Sequence, residues 1–233
     1  GNSLGDHFGV GHIFLAGEAP VLFYGYVTQG IVQKEDITEN GIKYIKQDGS
    51  VGYYQTVNKT TPVAGDVKYV DRNGDGVVDD NDRDIIGNPN PDFTYGFQNK
   101  VSWKSLSLSA SFNGVQGRDI LNVGNRYNNT PGTKSNNVTR KAFQNMWTDE
   151  NPSNLYPKST FVVQNMVMDR YVEDGSYLRC SDITLSYVLP AKWTNKIGIK
   201  NTSVYASVKN AFVITDYSSY DPEVNSFAFD GLR

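Results

Sequence analysis

The feature that most limits the fold is alternation over two neighbouring stretches. In "FTYGFQNKVSW" (93–103), Phe93, Tyr95, Phe97, Val101 and Trp103 fall on one side, and Thr94, Gln98, Lys100 and Ser102 on the other. A short turn near Lys104-Ser105 follows. In "LSLSASFNG" (106–114), Leu106, Leu108, Ala110 and Phe112 face one way, and Ser107, Ser109, Ser111 and Asn113 the other. A side-chain period of two is that of a β-strand, so the pair predicts an antiparallel hairpin. A hairpin with one oily and one serine-lined face has two homes. In a β-sandwich the oily side turns inward; in the wall of a membrane barrel it turns to lipid. Strand lengths near ten residues, faces rich in Ser, Thr, Asn and Gln, and aromatics at strand ends (Tyr95, Trp103, Tyr177, Tyr187) lean toward the barrel. The alternation alone leaves both open.

Other segments extend the all-β reading. "PVLFYGYVTQGIVQ" (20–33), interrupted by Gly25 and Gly30, reads as a strand with bulges or a sharp bend, with short strand-like pieces at "IKYI" and "GYYQTV". "SYLRCSDITLSYVLP" (176–190) and "SVYASVKNAFVIT" (203–215) read as two more strands. Residues 118–137 read as loop, and "TRKAFQNMWT" (139–148) is the one good helix candidate, with Ala142–Met146 and Phe143–Trp147 as four-residue pairs. No segment approaches the roughly 20 apolar residues of a membrane helix, which does not exclude strands that span. The net charge of −3 gives no basic face for a nucleic acid. Cys180 is the single cysteine and reads as a small strand residue. His7 and His12 read as polar surface. No Ser-His-Asp order, HExxH, GxSxG or phosphate-cradling loop occurs, so the chain is not read as an enzyme.

The stretch before the hairpin is acidic. "DRNGDGVVDDND" (71–82) places Asp71, Asn73, Asp75, Asp79 and Asp82 at loop positions 1, 3, 5, 9 and 12, with Gly76 at 6 and an apolar residue at 8. That spacing suits a hard cation with six to eight oxygen ligands, and Ca2+ is the expected one. Val77 would offer its carbonyl, and Asp82 stands where such loops place a bidentate Glu. Five acids in twelve residues repel one another unless a cation holds them. The ion would be a structural staple; the other reading is a solvated acidic turn.

Specific strings add to the periodicity. "GDVKYVDRNGDGVVDDNDRDIIGNPNPDFTYGF", "VEDGSYLRCSDITLSYVLP" and "NAFVITDYSSYDPEVN", in this order, with "VLFYGYVTQGIVQ" upstream, resemble the C-terminal part of the SusC/RagA family of TonB-dependent outer-membrane transporters. The resemblance implies part of a large transmembrane β-barrel of antiparallel strands, 22 in transporters of this kind, with a plugged lumen, long extracellular loops and one short loop helix. It implies import of glycan or peptide fragments (an oligosaccharide or peptide substrate), a SusD-type surface lipoprotein as lid, and energy through the TonB complex. The location implied is the outer membrane of a Gram-negative bacterium, in contact with outer-membrane lipid. On this reading the 93–115 hairpin and the strands near 177–189 and 203–214 cross the membrane. The acidic loop and residues 118–160 lie outside the cell, where free calcium is plentiful.

The same resemblance predicts a fragment: residues 1–233 show no signal peptide, N-terminal extension, TonB-contacting segment, plug domain or final aromatic-terminated strand. Such a piece supplies wall, lining and loops passively. Tyr127, Tyr217 and Tyr220, in polar loops, are candidates to stack on sugars, against ordinary loop packing. Two rivals remain at this point. One is a secreted, calcium-stabilised β-sandwich that binds carbohydrate and buries the faces carrying Phe97 and Leu108. The other is a polysaccharide hydrolase, for which no facing carboxylate pair is evident.

Overall fold

The computed structural model describes residues 2–7, 10–130, 137–159, 166–199 and 202–224. The chain divides into two compact units, one of Gly1–Asn90, Ile120–Glu173 and Glu223–Arg233, the other of Pro91–Asp119 and Asp174–Pro222. The strands are β1 (Asn2–His7), β2 (Val10–Phe14), β3 (Leu22–Tyr26), β4 (Thr28–Ile31), β5 (Ile37–Thr38), β6 (Gly41–Ile45), β7 (Val51–Tyr54), β8 (Thr56–Val57), β9 (Val67–Tyr69), β10 (Val77–Val78), β11 (Arg83–Gly87), β12 (Phe93–Trp103), β13 (Leu106–Gln116), β14 (Asp119–Leu121), β15 (Val172–Asp174), β16 (Tyr177–Val188) and β17 (Ser203–Thr215). Three short helices, α1 (Val123–Asn128), α2 (Arg140–Asn145) and α3 (Ala191–Thr194), lie in connections.

In the first unit the strands are short and form small sheets: β1-β2-β3-β11, β4-β9 and β5-β6-β7, all antiparallel, and the parallel pair β8-β10. The 20–33 segment, expected as one strand with bulges or a bend, is instead two strands, β3 and β4, divided at Val27; Gly25 lies within β3, and Gly30 sits at a register shift in β4 with the left-handed φ of +89° that its missing Cβ permits. The core is built around tyrosine. Tyr26, Tyr44, Tyr54 and Tyr69 are buried together with Ile42, Val57, Val78, Met166, Met168 and Tyr171. Alternation explains which rings go in: Ile42 and Tyr44 point inward from β6, and Gly52 and Tyr54 from β7.

A buried tyrosine must also satisfy its hydroxyl. Tyr26 donates to Asp80 Oδ1 at 3.0 Å, Tyr44 to the Asp71 carbonyl at 2.6 Å and Tyr69 to Met168 Sδ at 3.7 Å. The Tyr54 hydroxyl accepts from the Tyr69 amide at 3.1 Å. All four bonds join segments at least 15 residues apart in sequence, and burial holds the Tyr54 and Tyr69 hydroxyls far above their ordinary pKa.

The second unit is one meander, β12-β13-β16-β17, antiparallel throughout. Its register places directly opposed residues on a common face. Trp103, Leu106, Tyr187 and Val204 form one row; Val101, Leu108, Leu185 and Ala206 the next; Phe97, Phe112, Cys180 and Phe212 another. The other face carries Ser102, Ser107 and Ser186, then Lys100, Ser109, Thr184 and Ser207, then Gln98, Ser111, Asp182 and Lys209. Bulges between Cys180 and Asp182 interrupt the ladder, with Asn210 at φ +49°. The apolar face is not sealed: Phe97 is 53% and Leu108 46% exposed. That is the opposite of what the sandwich requires.

Four expectations need correction. Residues 118–137 are not all loop, because β14 and α1 lie there, α1 being capped by the Asn122 side chain, which accepts from the Asn125 amide at 3.1 Å. The chain therefore has three short α-helices among the described residues rather than one. The expected helix at 139–148 stops at Asn145, so Trp147 is buried while Phe143 stays 61% exposed. His12 is buried against the Phe23 ring, not on the surface; the His7 side chain lies outside the described residues.

Candidate functional site

Two features carry the chemistry of this chain, the acidic loop in the first unit and the polar face of the meander in the second.

The loop is closed by its two end carboxylates, both buried. Asp71 accepts the Gly74 amide at 2.6 Å and the Gly76 amide at 2.8 Å. Asp82 accepts the amides of Arg72 (2.8 Å), Asn73 (3.2 Å) and Asp79 (2.8 Å). Between them Asp75 accepts from the Val77 amide at 2.9 Å and from Asn73 Nδ2 at 3.1 Å, Asn73 Oδ1 from the Asp75 amide at 2.8 Å, and Asp79 from the Asn81 amide at 2.8 Å. Gly76 supplies the turn at φ +87°. Two ion pairs tie the loop to the start of β11, Arg72 with Asp84 at 2.7 Å and Asp80 with Arg83 at 2.8 Å.

The six residues expected to ligate Ca2+, namely Asp71, Asn73, Asp75, Val77, Asp79 and Asp82, thus lie in one tight turn. The acids there are oriented by backbone donors. Asp82 Oδ1 already accepts two amides, while the other bonded oxygens keep a second lone pair, but among the described residues no group of three or more His, Cys, Asp or Glu side chains is arranged around a metal position. The charge is nevertheless unbalanced. Burial pushes the Asp71 carboxyl above its usual range, the Gly76 and Gly74 amides pull it back, and the neighbouring Asp82 and Asp75 add to the rise.

On the meander the polar face holds a connected cluster. Asp182 pairs with Lys209 at 2.5 Å and accepts from Thr184 Oγ1 at 2.9 Å and Ser207 Oγ at 3.1 Å. Thr184 and Ser207 also bond across strands at 2.9 Å, as do Ser102 and Ser107. Near the far strand ends Arg179 pairs with Asp221 at 2.7 Å. Such a surface is suited to water and polar solutes. Sequence reasoning marked its serines but not this cluster, because only the register of β16 on β17 sets Asp182 opposite Lys209. Of the three loop tyrosines, Tyr220 is fully exposed and Tyr217 half-buried, while the side chain of Tyr127 lies outside the described residues.

No family model matches the chain. Two TonB-dependent receptors of Formosa agariphila do resemble it: one is 34% identical over 175 residues, 73% of this chain, and the other 32% over 214 residues, 91% of this chain. The TonB-dependent receptor SusC of Bacteroides thetaiotaomicron is 34% identical over 165 residues, 68% of this chain. The chain belongs to the SusC/RagA family of TonB-dependent receptors. It spans 17%, 19% and 15% of the length of these three relatives. Receptors of this family are outer-membrane proteins, which places the segment in that membrane.

Two solved structures share the fold of this SusC/RagA segment. The RagAB peptide importer in its closed-closed state matches with a TM-score of 0.60 at 22% identity, covering 94% of this chain and 22% of the other. The RagAB peptide transporter matches with a TM-score of 0.59 at 23% identity, covering 90% and 20%. The antiparallel meander accordingly shares the barrel fold of those structures.

Proposed function

We propose that this chain is the wall-and-loop segment of an outer-membrane importer of glycan or peptide fragments, working with a SusD-type surface lipoprotein as lid and driven through TonB. The observation that carries the reading is the two-faced meander, apolar and exposed on one side, serine- and threonine-lined with a charged cluster on the other. In this role β12, β13, β16 and β17 cross the membrane, and the residues act by position; none is assigned a chemical step.

The test uses the full-length receptor in lipid vesicles with single cysteines carrying spin labels. Labels at Leu108 and Phe212 should be reached by a lipid-phase quencher, and labels at Ser109 and Ser207 by an aqueous one. The reverse pattern, or equal access, removes the barrel reading. Uptake of labelled oligosaccharides and peptides, with and without TonB, separates the two substrate classes, and co-purification of a surface lipoprotein tests the lid.

Ca2+ at the acidic loop is a second proposal, with Asp71, Asn73, Asp75, the Val77 carbonyl, Asp79 and Asp82 as ligands. The spacing of the oxygen-bearing residues around Gly76 supports it, and a cation would relieve the repulsion that Asp82 and Asp75 exert on Asp71. Calorimetric titration of calcium into the receptor and into Asp75→Ala decides it; equal heats withdraw the ion.

A further inference from the structure

The turn end of the meander carries charge of one sign. Its two connections, at Lys104-Ser105 and over residues 189–202, lie together, since the Val188 amide donates to the Ser105 carbonyl at 2.8 Å. Over residues 103–107 and 187–203 the sequence holds Lys104, Lys192, Lys196 and Lys200 and no Asp or Glu, although the whole chain has a net charge of −3. The far ends of the same strands are flanked instead by Asp92, Asp119, Asp174 and Asp216.

Lys104, Lys192 and Lys196 are exposed. Two indoles stand among them, Trp103 at 68% and Trp193 at 57% exposure, and Lys104 Nζ lies 4.7 Å from the Trp103 ring centre. The described residues of the longer connection bond to one another. Leu189 donates to the Thr202 carbonyl at 2.9 Å and Ile199 to the Thr194 carbonyl at 3.1 Å, and Gly198 closes the turn after α3 at φ +74°. Trp103 also begins the apolar face, in one row with Leu106, Tyr187 and Val204.

Indole rings settle where apolar and polar layers meet, and lysines beside them reach phosphate. In outer-membrane barrels the short turns are periplasmic and the long connections extracellular. Here the short turn is at the lysine end, and the connection from β13 to β16 is the long one.

We infer that the lysine end of the meander binds the headgroups of anionic phospholipid in the periplasmic leaflet. Trp103 and Trp193 sit at the boundary of the hydrocarbon, and Lys104, Lys192 and Lys196 contact the phosphates. The inference rests on the barrel reading of the preceding subsection.

The test takes the full-length receptor in detergent with equal phosphatidylglycerol and phosphatidylcholine and reads retained lipid by native mass spectrometry. The receptor should retain phosphatidylglycerol preferentially, and inorganic phosphate should not displace it. The triple variant K104Q/K192Q/K196Q should bind it more weakly by roughly fivefold per lysine removed. The variant D92N/D119N, altered at the other end, should retain it as the parent does. No preference in the parent, or equal retention by the triple variant, overturns the inference.

A single Lys192→Cys variant distinguishes this outcome from failure of the barrel reading. Protection from an impermeant maleimide in intact cells, with labelling after lysis, leaves the topology standing and confines a negative lipid result to the present inference. Labelling in intact cells removes both.

Discussion

The Tyr44 hydroxyl donates to the backbone carbonyl of Asp71 at 2.6 Å, joining β6 to the first residue of the acidic loop. Burial, with the charges of Asp71 and Asp82 behind it, pushes the Tyr44 hydroxyl up to about 12, so it remains a donor at neutral pH. Gln55 and Asn58 add backbone bonds to the Gly76 and Val78 carbonyls at 2.8 and 3.0 Å. The loop is thereby an extension of the tyrosine core, and its position is set by packing as well as by its own carboxylates.

Removing the Tyr44 hydroxyl should loosen the loop locally. Tyr44→Phe keeps the ring in place and leaves a buried carbonyl without its donor, a cost of about 1–3 kcal/mol. Hydrogen exchange on the full-length receptor should show lower protection at the amides of Arg72, Gly74, Gly76 and Asp79. The β17 ladder should be unchanged. Unaltered protection in the loop would mean that the bond contributes nothing to its order.

Gly76 tests the turn. At φ +87° an alanine incurs about 1–2 kcal/mol, and its Cβ would stand 2.6 Å from Gln55 Oε1. The two costs separate. Gln55 is a flexible side chain that can swing away, whereas the backbone strain stays. Gly76→Ala should therefore lower the melting temperature, and adding Gln55→Ser should recover only a small part of the loss. Full recovery would assign the cost to crowding.

The raised Asp71 carboxyl gives the loop a pH dependence of definite sign. The fold holds this group's pKa above the ordinary 3.8, so its protonated form is the one favoured on folding. Its contribution is full below 3.8 and is lost as pH rises through the raised value. Ca2+, if bound, compensates for that loss and competes with the proton. The stabilisation by calcium, read as the shift in melting temperature, should therefore be larger at neutral pH than in mild acid. Asp71→Asn should flatten this dependence.

How much of this was legible in the sequence differs between the units. β12, β13, β16 and β17 follow the alternation closely, and β17 has the same limits, Ser203 to Thr215, as the segment read from the pattern. Even the bulge leaves a trace, since the apolar positions change parity between Cys180 and Ile183. The first unit was far less legible. Its strands run for only two to six residues, too short for a period to accumulate. Its core also depends on Tyr44 and Tyr69 meeting Met166 and Met168, about a hundred positions further along the chain. A tyrosine in a polar stretch gives no sign of whether its ring will be covered. The acidic loop was legible as a turn with its glycine in place, but the amides that Asp71 and Asp82 would accept were not.

The two faces of the meander yield the sharpest prediction. Val208 sits mid-strand on the apolar face, in a row with Ala110 and Ile183, and its neighbour Ser207 lies on the polar face beside Asp182. A charge placed among lipid chains near the midplane costs about 2–4 kcal/mol, whereas a charge in a wet lumen is solvated. Val208→Arg should thus destabilise the full-length receptor in vesicles by about 2–4 kcal/mol in a urea titration. Ser207→Arg should cost less than about 1 kcal/mol, because its guanidinium can pair with Asp182, whose partner Lys209 is itself largely exposed. The two substitutions are adjacent in sequence and identical in chemistry, so only the direction each side chain faces can separate them. If Ser207→Arg proved the more damaging, the face assigned to lipid would be the one that faces water.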